Sequence, residues 1–196
     1  MEPEKRVSVT TGFWVLLAIL FYLDEGLDLL GWGLLACGCH ELGHLIAVRA
    51  LGGRISRLRL TVVGAELSLD PELPLSYGRE CLAALAGPLA NLFLAGLAMR
   101  GRLFLLAGLS LGQGLFNLLP ILPLDGGRCL YFLLTGLLDG ALADRALRLT
   151  SAIAAGLLLG AGLVLSRQFG NLTLLITSLW LSAGLFRSWR WESAAQ

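Results

Sequence analysis

The five residues His40-Glu41-Leu42-Gly43-His44 combine the residue types that bind and use a zinc ion. Side chains four residues apart lie on one face of an α-helix, so the imidazoles of His40 and His44 can reach a single ion. Glu41 lies about 100° further around the same helix, where its carboxylate can activate a water molecule beside that ion. The spacing therefore predicts a catalytic zinc helix with two imidazole ligands and one general base.

The surroundings of this motif indicate that it is functional. His40 and His44 are the two histidines of the chain, and with Glu41 they interrupt an otherwise uncharged stretch, residues 29–48. An ionisable side chain in the middle of a membrane helix costs about 3 kcal/mol or more, so such residues are functional by default. We therefore interpret the three residues as a site rather than as ordinary core residues.

A catalytic zinc ion usually has three protein ligands and one open position, so a third ligand is required. The acidic residues that precede the motif are too distant. Asp28 precedes His40 by 12 residues (40 − 28), which is about 18 Å of helix. The third ligand must therefore come from another segment, and with no histidine left it must be a carboxylate or a thiolate.

Asp125 is the best carboxylate candidate. It follows an uncharged run, residues 103–124, directly after two helix-interrupting prolines and before two glycines. Broken helices at membrane depth are tolerated where they line a buried or wet cavity, which suits a metal ligand. Cys37 and Cys81 remain the alternatives, although a thiolate would depart from the common hydrolytic set of two histidines and a carboxylate.

The elements that must position these residues are membrane helices. The chain is 56% hydrophobic and 15% charged, with a mean hydropathy of +0.76, which is more apolar than a soluble domain. Apolar runs near the length that crosses a bilayer predict an all-α membrane protein, a polytopic bundle of about six transmembrane helices. The predicted spans are residues 7–23, 29–48, 82–99, 103 to about 119, 149–166 and 168–186.

Between the second and third runs, polar and apolar residues alternate, as in Arg57-Leu58-Arg59-Leu60. This period of two predicts a short membrane-associated β-hairpin near residues 54–70. The exposed edge of its first strand, residues 55–63, could pair with an unwound substrate segment. We expect a single membrane-embedded domain over residues 1–196, with a core at 10–138 and accessory helices at 144–190.

The charge distribution indicates the topology. A net charge of +1 argues against nucleic acid as a partner, because phosphate binding needs a clustered basic surface. Lysine and arginine tend to remain on the cytoplasmic side of a membrane. If both termini are cytoplasmic, twelve of the fifteen basic residues lie inside, and Arg100, Arg102 and Arg167 lie outside. We therefore expect a multi-pass protein of the cell membrane with its active site towards the cytoplasm.

Three motifs together resemble the site-2 proteases, the intramembrane zinc metalloproteases of peptidase family M50. They are the histidine motif, the segment Gly87-Pro88-Leu89-Ala90-Asn91, and the later segment that runs from Asn117 through Pro120 to Pro123-Leu124-Asp125-Gly126-Gly127. The motifs occur in the family's order, and the resemblance covers roughly residues 10–138.

The resemblance implies that His40, His44 and Asp125 hold one zinc ion and that Glu41 is the catalytic base. Asn117 would hold the substrate backbone near the ion. Asn91 would either contact the substrate or donate a hydrogen bond between helices. The expected reaction is hydrolysis of a peptide bond within or near the transmembrane segment of a single-span protein.

The resemblance also implies partners. The sequence shows neither the PDZ segment nor the CBS domain found in some branches, so we expect control by a regulatory membrane protein or by the substrate. This short form resembles the branch that contains a sporulation protease, with an anti-sigma or pro-sigma factor as the expected substrate and the lipid bilayer as the surroundings. Two other functions remain open: a membrane zinc transporter or sensor, and a non-catalytic scaffold that binds helices.

Overall fold

A computed structural model describes residues 7–24, 26, 28–61 and 64–194 of the chain. In this described part the chain is mostly helical, as predicted, and it also contains a small sheet. The chain divides into two compact units, residues 1–117 and 118–196. In order, the elements are β1 (Val7–Val9), α1 (Thr11–Leu23), α2 (Leu29–Ala50), β2 (Ile55–Thr61), β3 (Gly64–Leu69), α3 (Tyr77–Arg100), α4 (Phe104–Asn117), α5 (Asp125–Leu137), α6 (Gly140–Phe169) and α7 (Thr173–Ala194).

Three helices within the described residues are long and apolar enough to cross a membrane, namely α2, α3 and α6. The apolar parts of α1, α4 and α7 are shorter, at residues 11–22, 104–117 and 173–186. A helix rises about 1.5 Å per residue, so these segments fall below the length of a typical span. The predicted number of about six spans is therefore not confirmed, although each predicted run contains a helix.

The first predicted span, residues 7–23, was wrong at its beginning. Val7–Val9 form a strand that pairs in parallel with β2, with Val7 opposite Leu58. The next residue, Thr10, caps α1, because its Oγ1 accepts a hydrogen bond from the Phe13 N–H at 3.3 Å. A side-chain oxygen at this position satisfies an N–H that has no partner inside the helix. The helix that follows has 13 residues.

The predicted hairpin is confirmed as β2 and β3, which pair antiparallel from Ile55 opposite Leu69 to Thr61 opposite Gly64. Its turn, residues 62 and 63, lies outside the described residues. The sheet order is β1-β2-β3, so β2 is the central strand. The prediction that β2 offers a free edge to a substrate was wrong, because β1 and β3 occupy its two sides.

Close packing of α2, α3 and α4 forms the core of the first unit. Ala36, Ala98, Leu106 and Ala107 make up its buried apolar cluster. A Cβ atom on Gly43 would lie 2.6 Å from the Ala86 carbonyl oxygen, which is too close for any side chain. Small residues at helix contacts let backbones approach in this way, as is typical of membrane helices.

Asp24 fixes the beginning of α2. Its two carboxylate oxygens accept hydrogen bonds from the backbone N–H groups of Leu29 and Leu30, both at 3.1 Å. A carboxylate at this end of a helix satisfies unpaired N–H groups and also interacts favourably with the helix dipole. Asp24 thus has a structural role at the beginning of α2, far along the helix from the histidines.

The second unit contains α5, α6 and α7 together with the non-helical segment of residues 118–124. Ile121, Ala155 and Leu185 form its buried apolar cluster. The Ser151 hydroxyl donates a hydrogen bond to the Pro120 carbonyl oxygen at 3.3 Å, which ties the segment to α6. This non-helical segment confirms the predicted helix interruption at Pro120 and Pro123.

Candidate metal centre

The buried face of α2 carries both histidines. Its buried residues recur every four positions, as Ala36, His40, His44 and Val48, and the two histidines are 4% and 6% exposed. The Nε2 atoms of His40 and His44 lie 3.2 Å apart. Two nitrogen ligands of a tetrahedral zinc ion, each about 2.05 Å from it, would be separated by roughly 3.3 Å. The spacing of the two nitrogens therefore fits a shared zinc ion.

The outer nitrogen of the His44 ring is held by the α3 backbone. The His44 Nδ1–H donates a hydrogen bond to the Ala83 carbonyl oxygen at 2.8 Å. Because a carbonyl can only accept, the proton must reside on Nδ1, and in the neutral ring this leaves the Nε2 lone pair for a metal. Such a hydrogen bond from the non-ligating nitrogen is usual in histidine metal sites.

Gly87 lets α3 come this close to His44. A Cβ atom at this position would collide with the imidazole, meeting Nε2 first and then Cε1 at 2.6 Å. The first residue of the Gly-Pro-x-x-Asn segment is therefore explained by the space that the His44 ring needs. Sequence reasoning did not identify the roles of Ala83 and Gly87, although the Gly-Pro-x-x-Asn motif was a signal for the latter.

Glu41 lies beside the beginning of β3. The backbone N–H of Ala65 donates a hydrogen bond to the Glu41 Oε1 atom at 3.4 Å. The carboxylate is half-buried and follows His40 directly on α2. The hairpin thus lies against the predicted catalytic base.

Asn91 is fully buried on α3, and its Nδ2 atom lies 3.4 Å from the His40 Nδ1 atom. Its Oδ1 atom is also buried and has no hydrogen-bond partner among the described residues. The side chain therefore contacts a predicted zinc ligand across the α2–α3 interface, which is the interhelical hydrogen bond that the sequence offered as one alternative.

Asn117 is the last residue of α4, at the end of the first unit. Its Nδ2 atom donates a hydrogen bond to the Gln113 carbonyl oxygen one turn earlier, at 3.1 Å. The amide is half-buried. The predicted contact between Asn117 and the substrate stays a prediction.

Asp125 begins α5 in the second unit and is 7% exposed. Its Oδ1 atom lies 3.9 Å from the Arg128 Nη1 atom, one turn along the helix. A Cβ atom on Gly126 would collide with the Leu118 carbonyl oxygen, so this turn requires glycine after the aspartate. Asp125 is thus buried, as are His40 and His44, and imidazole nitrogens and carboxylate oxygens are zinc ligands. A zinc ion shared by all three residues stays a prediction.

Comparison with known proteins gives the family context. Residues 98–161 match the family model described as peptidase family M50. A zinc metalloprotease of Methanocaldococcus jannaschii is 29% identical over 136 residues, which are 63% of this chain and 35% of the relative. A candidate zinc metalloprotease of Synechocystis sp. is 35% identical over 103 residues, which are 46% of this chain and 27% of the relative. These matches support peptidase family M50.

The solved site-2 protease from Methanocaldococcus jannaschii has the same fold as this chain, with a TM-score of 0.61 at 21% identity, over 95% of this chain and 93% of that one. The M50 match itself contains Asn117 and Asp125 and lies after the two histidines. The chain spans about a third of the length of the two curated zinc metalloproteases that it matches.

Proposed function

We propose that this protein is an intramembrane zinc metalloprotease that hydrolyses a peptide bond within or near the transmembrane segment of a membrane-tethered protein. The observation that carries the proposal is the buried pair of imidazole nitrogens 3.2 Å apart, with Glu41 next to them on the same helix. The M50 match and the two relatives named as zinc metalloproteases support the same chemistry.

In this proposal one zinc ion would be held by His40, His44 and Asp125. Two imidazoles and one carboxylate are a common ligand set for hydrolytic zinc, because three protein ligands leave one position open. The spacing of the histidine nitrogens and the hydrogen bond from His44 to Ala83 both fit such a site. Asp125 supplies the negative charge that two neutral imidazoles lack.

A zinc ion in such a site supplies Lewis acidity, which polarises a carbonyl group and acidifies a water molecule. Glu41 takes the proton from the attacking water and later returns it to the leaving amine. The Ala65 N–H, which donates to Glu41 at 3.4 Å, holds the carboxylate in place for both transfers. The Asn117 amide holds the substrate backbone and donates to the oxygen on which negative charge develops.

A helical substrate must unwind before attack. Among the described residues β3 is an edge strand, so its outer edge can receive the unwound segment. The N–H groups of a strand alternate in direction along its length. Because the Ala65 N–H is directed to Glu41 rather than to β2, the N–H of Leu67, two residues on, also faces outward. Backbone pairing along this edge would leave the extended substrate beside the catalytic base.

The substrate class that suits this site is a single-span membrane protein, such as an anti-sigma or pro-sigma factor, and a regulatory membrane protein would control access. The three apolar helices long enough to cross a bilayer support a membrane location. We propose a multi-pass protein of the cell membrane with both termini and the active site towards the cytoplasm. A role in sporulation is the most specific form of this proposal.

The E41Q variant tests the enzyme function. Glutamine has the same shape but cannot take a proton, so we expect zinc content to remain and cleavage of a co-expressed single-span anti-sigma or pro-sigma factor to stop. The matched control is E72Q, which alters an exposed glutamate outside the site and should leave cleavage unchanged. Cleavage by E41Q at the wild-type rate would contradict the proposal. Zinc flux through E41Q, with no cleavage by the wild type, would instead favour a transporter.

A further inference from the structure

We propose that Asn91 is a positioning residue that selects the zinc-binding tautomer of His40. His40 is a zinc ligand in the function proposed above, on which this inference rests. Asn91 is fully buried, its amide lies 3.4 Å from the His40 Nδ1 atom, and its Oδ1 atom has no hydrogen-bond partner among the described residues. A buried oxygen left without a partner costs about 1–3 kcal/mol, and an arrangement in which Oδ1 accepts a hydrogen bond removes that cost for the oxygen.

The protons of the two rings can be assigned from their partners. The His44 Nδ1–H donates to the Ala83 carbonyl, so the His44 Nε2 atom carries a lone pair. When the Asn91 Nδ2–H donates to the His40 Nδ1 atom, the proton of the neutral His40 ring lies on Nε2. The His40 Nε2–H then donates to the His44 Nε2 atom at 3.2 Å. In this tautomer His40 has no lone pair on Nε2 to offer a metal ion.

A half-turn of the Asn91 amide favours the other tautomer of His40, in which the proton lies on Nδ1. The turn exchanges Oδ1 and Nδ2 in nearly the same volume, so α2 and α3 need not repack. Oδ1 then accepts a hydrogen bond from the His40 Nδ1–H, and the His40 Nε2 lone pair faces the same point as that of His44. Both rings then have the arrangement usual for metal-bound histidine, with the outer nitrogen donating to an oxygen.

Asparagine suits both tautomers because its amide can either donate or accept. An ionised aspartate at position 91 could only accept, so it would hold the zinc-binding tautomer permanently, as carboxylates do in many histidine–zinc sites. An alanine could do neither. N91D keeps the size of the side chain and an acceptor oxygen, whereas N91A removes both, so the two substitutions compare the contact with and without an acceptor beside His40.

The test is the zinc dissociation constant of the detergent-purified full chain, measured by competition with a zinc chelator. We expect N91A to bind zinc about 10- to 100-fold more weakly than the wild type, and N91D to bind at least as tightly as the wild type. S110A is the matched control, since Ser110 is equally buried on α4 and its Oγ atom also lacks a partner among the described residues. S110A should bind zinc like the wild type, and circular dichroism would verify the helix content of each variant.

Equal zinc affinity in N91A and the wild type would overturn the positioning role, as would an equal loss in S110A and N91A. A wild type that binds no zinc would overturn the proposed function itself, so the two failures are distinguishable. The wild type alone provides a second test, because the chain has two histidines and nitrogen NMR of ¹⁵N-histidine can resolve both. We expect Nδ1 to be protonated in both rings of the zinc-loaded protein, and a ring coordinated through Nδ1 would overturn the inference.

Discussion

Gly87 sets how closely α3 can approach the His44 ring. We predict that G87A lowers zinc affinity and destabilises the protein by about 1–3 kcal/mol, because an added methyl group forces apart a packed helix contact. G96A on the same helix is the matched control, since nothing lies within 4 Å of a Cβ atom there. Thermal unfolding and zinc titration in detergent measure both effects. Equal zinc affinity and equal thermal stability of G87A and G96A would contradict this prediction, because they would show that α3 can shift to accommodate the added methyl group.

We predict that Asn117 affects the rate of peptide-bond cleavage and does not affect zinc binding. If its amide donates to the developing oxyanion, N117A should retain zinc and lower kcat about 10²- to 10³-fold. The Nδ2 atom carries two hydrogens, so it can donate one to the Gln113 carbonyl at 3.1 Å and the other to the substrate. Single-turnover cleavage of a transmembrane peptide compares the two proteins. An unchanged kcat would remove Asn117 from the mechanism.

Residue spacing predicted one half of the site well. Two histidines four apart on a helix must share a face, and the structure places their Nε2 atoms 3.2 Å apart. The partners of those rings could not be predicted, because the Ala83 carbonyl and the space above Gly87 arise only when α3 packs against α2. Asn91 was recognised as part of a motif, but its contact with His40 depends on the same packing.

At the scale of elements, the hairpin and the catalytic helix are linked through the Ala65 N–H and Glu41. If the outer edge of β3 binds the substrate, L67P should abolish cleavage, because proline has no N–H to donate to the paired chain. L67A keeps that N–H and is the matched control, so it should cleave at close to the wild-type rate. A gel assay of fragment release separates the two. Similar cleavage by both variants, with zinc retained, would exclude pairing along this edge.

The period of two in residues 57–60 predicted the hairpin because alternation is a local signal. Strand β1 was missed for the opposite reason. Val7–Val9 has three residues at the start of a longer apolar run, and its strand conformation depends on parallel pairing with β2, a distant segment. The edge proposed to bind the substrate therefore moved from β2 to β3. No local pattern in the sequence of β2 indicates that β1 covers one of its sides.

At the scale of the whole molecule, composition indicates a membrane protein, and three helices of sufficient length support this. The number of spans could not be fixed by composition, because the helices formed by the runs at 7–23, 103–119 and 168–186 have shorter apolar parts. The predicted single domain and the cytoplasmic orientation stay predictions. They depend on how the chain inserts into a bilayer, which proteolytic or labelling studies in membranes can measure.

The central claim is that one zinc ion joins ligands from two parts of the chain. The histidines belong to the first unit and Asp125 to the second. Removing one of three ligands should weaken zinc binding strongly, whereas removing an exposed carboxylate should not. Asp144 is exposed on α6 in the same unit as Asp125, so D144A is the matched control for D125A.

The most direct measurement is the zinc content of the purified full chain by mass spectrometry, after dialysis against a weak chelator. We predict about one zinc ion per chain in the wild type, E41Q and D144A, and little or none in D125A, H40A and H44A. Full zinc content in D125A would contradict the proposed site and would favour a thiolate ligand, Cys37, which is a free cysteine. A wild type without zinc would contradict the account as a whole.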